Sequence, residues 1–138
     1  MPSTKLHIPR ILLPLLYLWQ LPQNLLGLGL IALCKVRHID IQKNNGIYVL
    51  DKFWAGGVSL GSYIFLHKCE NNERSIQHER GHQKQSLMLG PLYLIIVGIP
   101  SAILCTLAKY SPKISHEYFD HFPEKWADKL GGVQRLPK

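Results

Sequence analysis

Two histidines and a glutamate in one short stretch hold most of the chemical content of this chain: Ser75-Ile76-Gln77-His78-Glu79-Arg80-Gly81-His82-Gln83-Lys84-Gln85-Ser86. His78 and His82 stand four residues apart, which puts both imidazoles on one face of a helix. Two neutral imidazoles so placed can bind one Zn²⁺. Glu79 follows the first His and points beside the metal, where its carboxylate can take a proton from a water. Gly81 costs a helix about 1 kcal/mol relative to Ala, so its presence inside the motif implies a packing or access requirement. The plain alternative is a solvated polar helix with two surface histidines.

A catalytic zinc needs a third protein ligand and an open position for water. Downstream, Glu124-Lys125-Trp126-Ala127-Asp128 offers a candidate carboxylate in Glu124. Asp128, one helical turn later on the same face, can accept the free N–H of a metal-bound imidazole and fix its tautomer. His116, Glu117, Asp120 and His121 compete for the third ligand position.

His-Glu-x-Gly-His followed by Glu-x-x-Ala-Asp resembles the gluzincin membrane metallopeptidases, the group that includes the prenyl-protein (CAAX) endoprotease and the bacterial heat-shock membrane protease. The resemblance implies Zn²⁺ held by His78, His82 and Glu124, with Glu79 as general base and Asp128 supporting a ligand. It implies zinc-dependent hydrolysis of a peptide or protein substrate, at or within a bacterial inner membrane. It covers these two motifs and their placement around an apolar segment, in a chain much smaller than those enzymes. Gly56–Gly61 and Leu89–Leu94 also resemble phrases in a set of small bacterial membrane proteins. In zinc peptidases of this motif class an edge strand beside the motif helix holds the substrate extended by main-chain pairing. That assigns Val58, Ser59, Leu60 and Gly61 to substrate binding; the alternative is a hairpin that merely covers the helix.

These groups must be positioned by elements readable along the chain. Leu6–Val36 is an apolar run interrupted by Gln20-Leu21-Pro22-Gln23-Asn24. It is long enough to cross a hydrocarbon core, which needs about 20 residues. Polar groups at its centre persist only if they pack on protein, so residues 11–34 read as a kinked span or a shallow helical hairpin. Lys35–Lys43 reads as a polar connection and Asn44-Asn45-Gly46 as a turn. Ile47–Leu50 and Val58–Leu66 then read as a small β-hairpin. Ser75 is the expected N-cap of a motif helix over Ile76–Leu89. A second apolar run, 87–108, has its own break at Gly98-Ile99-Pro100-Ser101, and Tyr118–Leu130 is helical up to Gly131-Gly132. The expected fold is a mainly α membrane protein, one domain over 1–138, with two broken apolar helical segments, the motif helix, a C-terminal helix and the hairpin.

Glu124 must meet a metal carried by α-helical His78 and His82, yet residues 87–108 lie between. Three arrangements allow it: the motif helix begins the span, the Gly98–Ser101 break turns the segment back, or the C-terminal helix dips into the membrane.

Composition narrows the function class. Net charge is +7, but Lys and Arg are scattered, with no basic stripe or aromatic-basic module. The expectation is contact with anionic lipid and no nucleic acid. Three cysteines without C-x-x-C spacing argue against a disulfide scaffold and a thiolate zinc site. Lys5 and Arg10 before an apolar run mimic a signal peptide, but no small-residue cleavage site follows, so the N-terminus reads as a retained anchor. The rival function is a non-catalytic, zinc-stabilised membrane adaptor or scaffold, with a metal-free scaffold as a third possibility.

Overall fold

A computed structural model describes residues 7–52 and 56–137; Lys5 and Leu6, where the expected anchor begins, lie outside them. The chain is mostly helical with one small mixed sheet. Its elements are α1 (Leu13–Trp19), α2 (Leu21–Val36), β1 (Ile41–Asn44), β2 (Ile47–Leu50), β3 (Gly57–Leu60), β4 (Tyr63–His67), α3 (Glu73–Leu89), α4 (Ile99–Tyr110), α5 (Pro112–His116) and α6 (Glu124–Gly131).

The sheet is larger than the expected hairpin. Its order is β1-β2-β4-β3, with β2 and β4 parallel and the outer pairs antiparallel. Val58–Leu66 is two strands folded at Gly61-Ser62, and the polar connection contains a strand, β1. That strand has one apolar residue, and its place is set by the Asn45-Gly46 turn, where both residues take positive φ (51° and 82°) as a tight hairpin demands. Strand alternation then sorts the side chains onto two faces. Leu50 and Phe65 pack with Cys34 of α2 on one face, while Ile47, Ile64 and Leu66 pack with Ile76 of α3 on the other. The sheet is thus a partition between the N-terminal helices and the motif helix.

The first apolar run bends by 88° between Arg10–Trp19 and Leu21–Val36. The interrupting polar residues supply the reason. Gln23 Nε2 donates to Ser86 Oγ (2.8 Å) and to the Gly90 carbonyl (2.9 Å), and Ser86 Oγ donates to Gln20 Oε1 (2.7 Å). Asn24 Oδ1 accepts from the Ser62 amide at 2.8 Å. Gln20, Gln23, Asn24 and Ser86 are all buried, so the bend is a polar weld between the N-terminal helices, α3 and the hairpin.

Among the described residues no single helix is long and apolar enough to cross a membrane; the bent pair meets that test together, by length and composition. The second apolar run is shorter than expected because α3 ends at Leu89 and Gly90, at φ 54°, turns the chain. After a 3₁₀ turn, a π-helical turn over Leu94–Gly98 leads directly into α4. The Gly98–Ser101 break therefore does not fold the segment back. Return is made instead by α5 and a 3₁₀ turn at Tyr118–Asp120, which bring α6 against α3.

Helix α3 starts earlier than expected, with Asn72 rather than Ser75 as the cap: Asn72 Oδ1 accepts from the Ser75 amide at 3.0 Å. Gly81 answers its sequence puzzle. A Cβ there would overlap the Ala127 carbonyl of α6, and one on Gly131 would overlap the Gln77 carbonyl of α3. The two helices pack backbone to backbone. Gly81→Ala should therefore destabilise the fold by about 3 kcal/mol through overpacking against main chain. Gly29→Ala, on an exposed stretch of α2 with open space around it, should be neutral or stabilising by up to about 1 kcal/mol. Chemical denaturation of the two variants checks both; equal midpoints would refute the close-packing account.

Candidate metal centre

The backbone contact of α3 and α6 decides what their side chains can reach. Helical spacing turns His78 and His82 of α3 toward the first turn of α6, where Glu124 opens the helix and Asp128 follows one turn on. Glu124 Oε2 lies 2.9 Å from His78 Nε2 and 3.1 Å from His82 Nε2, and the two Nε2 atoms are 3.2 Å apart. All three residues are buried.

The outer nitrogens fix the tautomers. His78 Nδ1 faces Asp128 Oδ1 at 2.7 Å, and a carboxylate only accepts. His82 Nδ1 faces Gln85 Oε1 at 2.7 Å, and that amide is oriented because its Nε2 donates to the Pro123 carbonyl (3.1 Å). Both Nδ1 atoms must therefore carry the proton. Neutral imidazoles then present two Nε2 lone pairs to each other and to a carboxylate oxygen. Three acceptors at that separation repel unless a cation lies among them, either protons or a metal ion.

The donor set suits a metal. Ligand atoms about 2.1 Å from a tetrahedral zinc stand roughly 3.4 Å apart, close to the observed triangle with its edges drawn in slightly. His78, His82 and Glu124 form the group that could hold a metal ion among the described residues. Beside it, Glu79 is buried with Oε2 lacking any hydrogen-bond partner. Gly57 of β3 presses so closely on that carboxylate that a side chain there would overlap Oε1. An orphaned, immobilised carboxylate oxygen next to three converging ligands fits a water held at an open metal position.

The electrostatics agree. Burial alone would lower the His78 pKa, but hydrogen bonds to Asp128 and Glu124 outweigh it and raise it to about 9. His82 is also raised: burial pulls it down, and the Glu124 hydrogen bond together with the charges of Glu79 and Glu124 outweighs it. Burial pushes Glu124 and Asp128 up, yet hydrogen bonds from His78 and His82, and from His78 and Arg135, hold them below the ordinary carboxylate range. Glu79 is raised, chiefly by burial, the nearby imidazoles only partly offsetting it. The pocket concentrates negative potential at the place where the three ligand atoms meet.

The other sequence candidates fall elsewhere. His121 pairs with Glu117 at 3.7 Å on the exposed side, and neither these two nor His116 and Asp120 join the buried group. Of the four residues assigned to substrate, Val58 and Leu60 pack into the α2 face of the sheet, Ser59 is buried, and Gly61 makes the turn. Strand β3 is nevertheless an edge strand. Leu60 and Tyr63 flank the two-residue turn, so the main-chain groups of Ser59 and Gly57 point away from β4. The Ser59 carbonyl accepts from Tyr93 Oη at 3.1 Å.

Sequence reasoning missed three supporting residues. Ser101 Oγ donates to Glu124 Oε1; its polar side chain in an apolar run read as a topology break, although such a residue is also a pointer to a site. Arg135 pairs with Asp128, and Phe119 packs edge-on against His78, 5.3 Å between ring centres; neither had a sequence signal. Comparison with protein families, curated proteins and solved structures finds no match to this chain.

The centre has a signed pH dependence. A metal needs the lone pair that a proton occupies on His78 below about 9. Metal affinity should therefore rise with pH across the neutral range, roughly tenfold per unit for each proton displaced. Calorimetric titration in buffers of different ionisation heat should register proton release at pH 7; an affinity flat from pH 6 to 8 would contradict it.

Proposed function

We propose that this chain is a membrane-embedded zinc metallopeptidase of the gluzincin type, hydrolysing peptide bonds. The observation that carries the reading is the Glu79 carboxylate: buried, unpartnered at Oε2 and adjacent to the His78–His82–Glu124 triangle. A His₂Glu set of borderline and hard donors suits Zn²⁺ and leaves a fourth position free. Zinc there supplies Lewis acidity toward a water and a carbonyl.

The chain's own residues do the rest. Asp128 and Gln85 keep both imidazoles in the tautomer that presents Nε2. Ser101 holds the second oxygen of Glu124. Glu79 removes a proton as the water oxygen attacks the carbonyl carbon, and returns it to the amine nitrogen as the C–N bond breaks. Its burial strengthens it as a base, because desolvation disfavours the bare carboxylate. The outward main-chain groups of Gly57 and the Ser59 amide offer the edge on which a substrate strand pairs, the Ser59 carbonyl being held by Tyr93.

A membrane setting is supported by where apolar side chains are exposed. Leu15, Leu18, Leu25 and Leu26 on α1 and α2, and Ile95, Ile99 and Ile103 on the second apolar segment, are all more than half exposed. Large exposed apolar side chains gathered on two helical segments are the kind of surface that marks a membrane or partner contact, and the net charge of +7 favours anionic headgroups. The protein should float with vesicles of anionic phospholipid in a density gradient. Recovery as a monodisperse species without lipid or detergent would defeat the membrane reading.

The enclosure of all three ligands favours a second reading, a zinc-stabilised membrane adaptor without turnover. Glu79→Gln separates the two. The wild type, loaded with about one zinc per chain, should cleave quenched fluorescent peptides and lose that activity to a chelator. The variant should keep its zinc and lose at least about a hundredfold in rate. Zinc retained by both with no cleavage by either selects the adaptor.

A further inference from the structure

We propose that Arg135, in the segment after α6, is a positioning residue for the metal ligand His78, acting through Asp128. The inference rests on the metal-centre reading above and adds to it a residue that lies outside both sequence motifs.

The contacts form a closed ring. Arg135 donates from Nε to Asp128 Oδ2 and from Nη2 to Oδ1, the latter at 3.0 Å. Asp128 Oδ1 accepts from His78 Nδ1 at 2.7 Å. The Arg135 guanidinium carbon lies 3.2 Å from the centre of the Phe119 ring. Phe119 meets the His78 ring edge-on, 5.3 Å between centres at 85°. Arg135, Asp128, His78 and Phe119 each touch two others of the set. Rotation of any one breaks a contact made by the next.

Backbone geometry delivers Arg135 to this place. Gly132 ends α6 in the left-handed conformation, and the Val133 amide donates to the Asp128 carbonyl at 2.9 Å. The chain is thereby folded back over the last turn of α6, as a helix-terminating glycine commonly directs it. The guanidinium then arrives two-pronged on the same carboxylate that faces the imidazole.

Two prongs matter for the ligand. A carboxylate held by one bond can swing about its Cβ–Cγ axis; a fork of two parallel bonds fixes its plane. With that plane fixed, Oδ1 stays aimed at His78 Nδ1, and the Nε2 lone pair stays aimed at the triangle. The pair is also partly sheltered, with side-chain exposures of 29% for Arg135 and 12% for Asp128, so it is screened less than a surface ion pair. Charge argues the same way. Glu79, Glu124 and Asp128 are three carboxylates around two imidazoles, and the guanidinium leaves a surplus that one divalent cation cancels when all three are ionised.

The bland reading is that Arg135 only packs the segment after α6 onto Phe119. Arg135→Met retains an unbranched side chain on the ring and loses the fork; Arg135→Lys retains the charge and loses the bidentate geometry. Zinc affinity of full-length protein in detergent, read by competition with a chromophoric chelator, separates the readings. The Met variant should bind zinc about 10- to 100-fold more weakly than wild type, as loss of a ligand's outer partner typically does. The Lys variant should fall between the two. A Met variant within twofold of wild type overturns the proposal. If the Met variant fails to fold by circular dichroism, the Lys variant decides: affinity equal to wild type overturns the proposal. A wild type that binds no zinc defeats the metal-centre reading itself, and the role of Arg135 with it.

Discussion

Three lone-pair-bearing atoms meet at the heart of this protein, and their mutual repulsion is the constraint on which the rest depends. His78 and Glu124 are separated by 46 residues of chain, yet their side-chain atoms stand 2.9 Å apart. Such convergence is unfavourable unless a proton or a metal ion lies among the atoms, and the structure holds it from outside. Asp128 and Gln85 fix the imidazoles, Ser101 fixes the carboxylate, and the bare backbones of Gly81 and Ala127 fix the distance between the helices that carry them. The three donor atoms are thus preorganised, and an ion binding there would meet less ordering cost.

The polar weld at Gln20, Gln23, Asn24 and Ser86 performs a comparable service at larger scale. Apolar helices have little reason to prefer one docking angle over another on apolar neighbours. Buried amides that must find partners remove that freedom, because each unmet donor or acceptor costs on the order of 1–3 kcal/mol. The bend of 88° is the angle at which Gln23 reaches Ser86 and Gly90 while Asn24 reaches Ser62. The sheet needs the same weld, since the Ser62 amide sits at the tip of the hairpin whose outer strand presses on Glu79.

What could be read from the chain beforehand follows how local each signal is. His78, Glu79 and His82 are legible because their geometry is set within one helical turn, and Glu124 with Asp128 for the same reason. The Asn45-Gly46 turn is legible from backbone conformation alone. Strand β1 is not, because Ile41-Gln42-Lys43-Asn44 lacks alternation and acquires its conformation from β2 across the turn. Ser101 and Arg135 act through partners 23 and 7 residues away along directions that no periodicity encodes. The end of the motif helix at Leu89 is legible too, but hydropathy counts Leu87–Leu89 into the second apolar run, because it carries no record of the positive φ at Gly90.

The helix that closes over the centre has two stripes, each recurring every four residues. Tyr93, Val97 and Ser101 face inward, toward Ser59 and Glu124, while Ile95, Ile99, Ile103 and Leu107 face outward. A π-helical turn over Leu94–Gly98 carries both stripes into α4. One continuous helical segment therefore joins the protein's outer apolar surface to the second oxygen of Glu124. The orientation of Glu124 is thus tied, through a single hydroxyl group, to the same segment that carries the exposed apolar stripe.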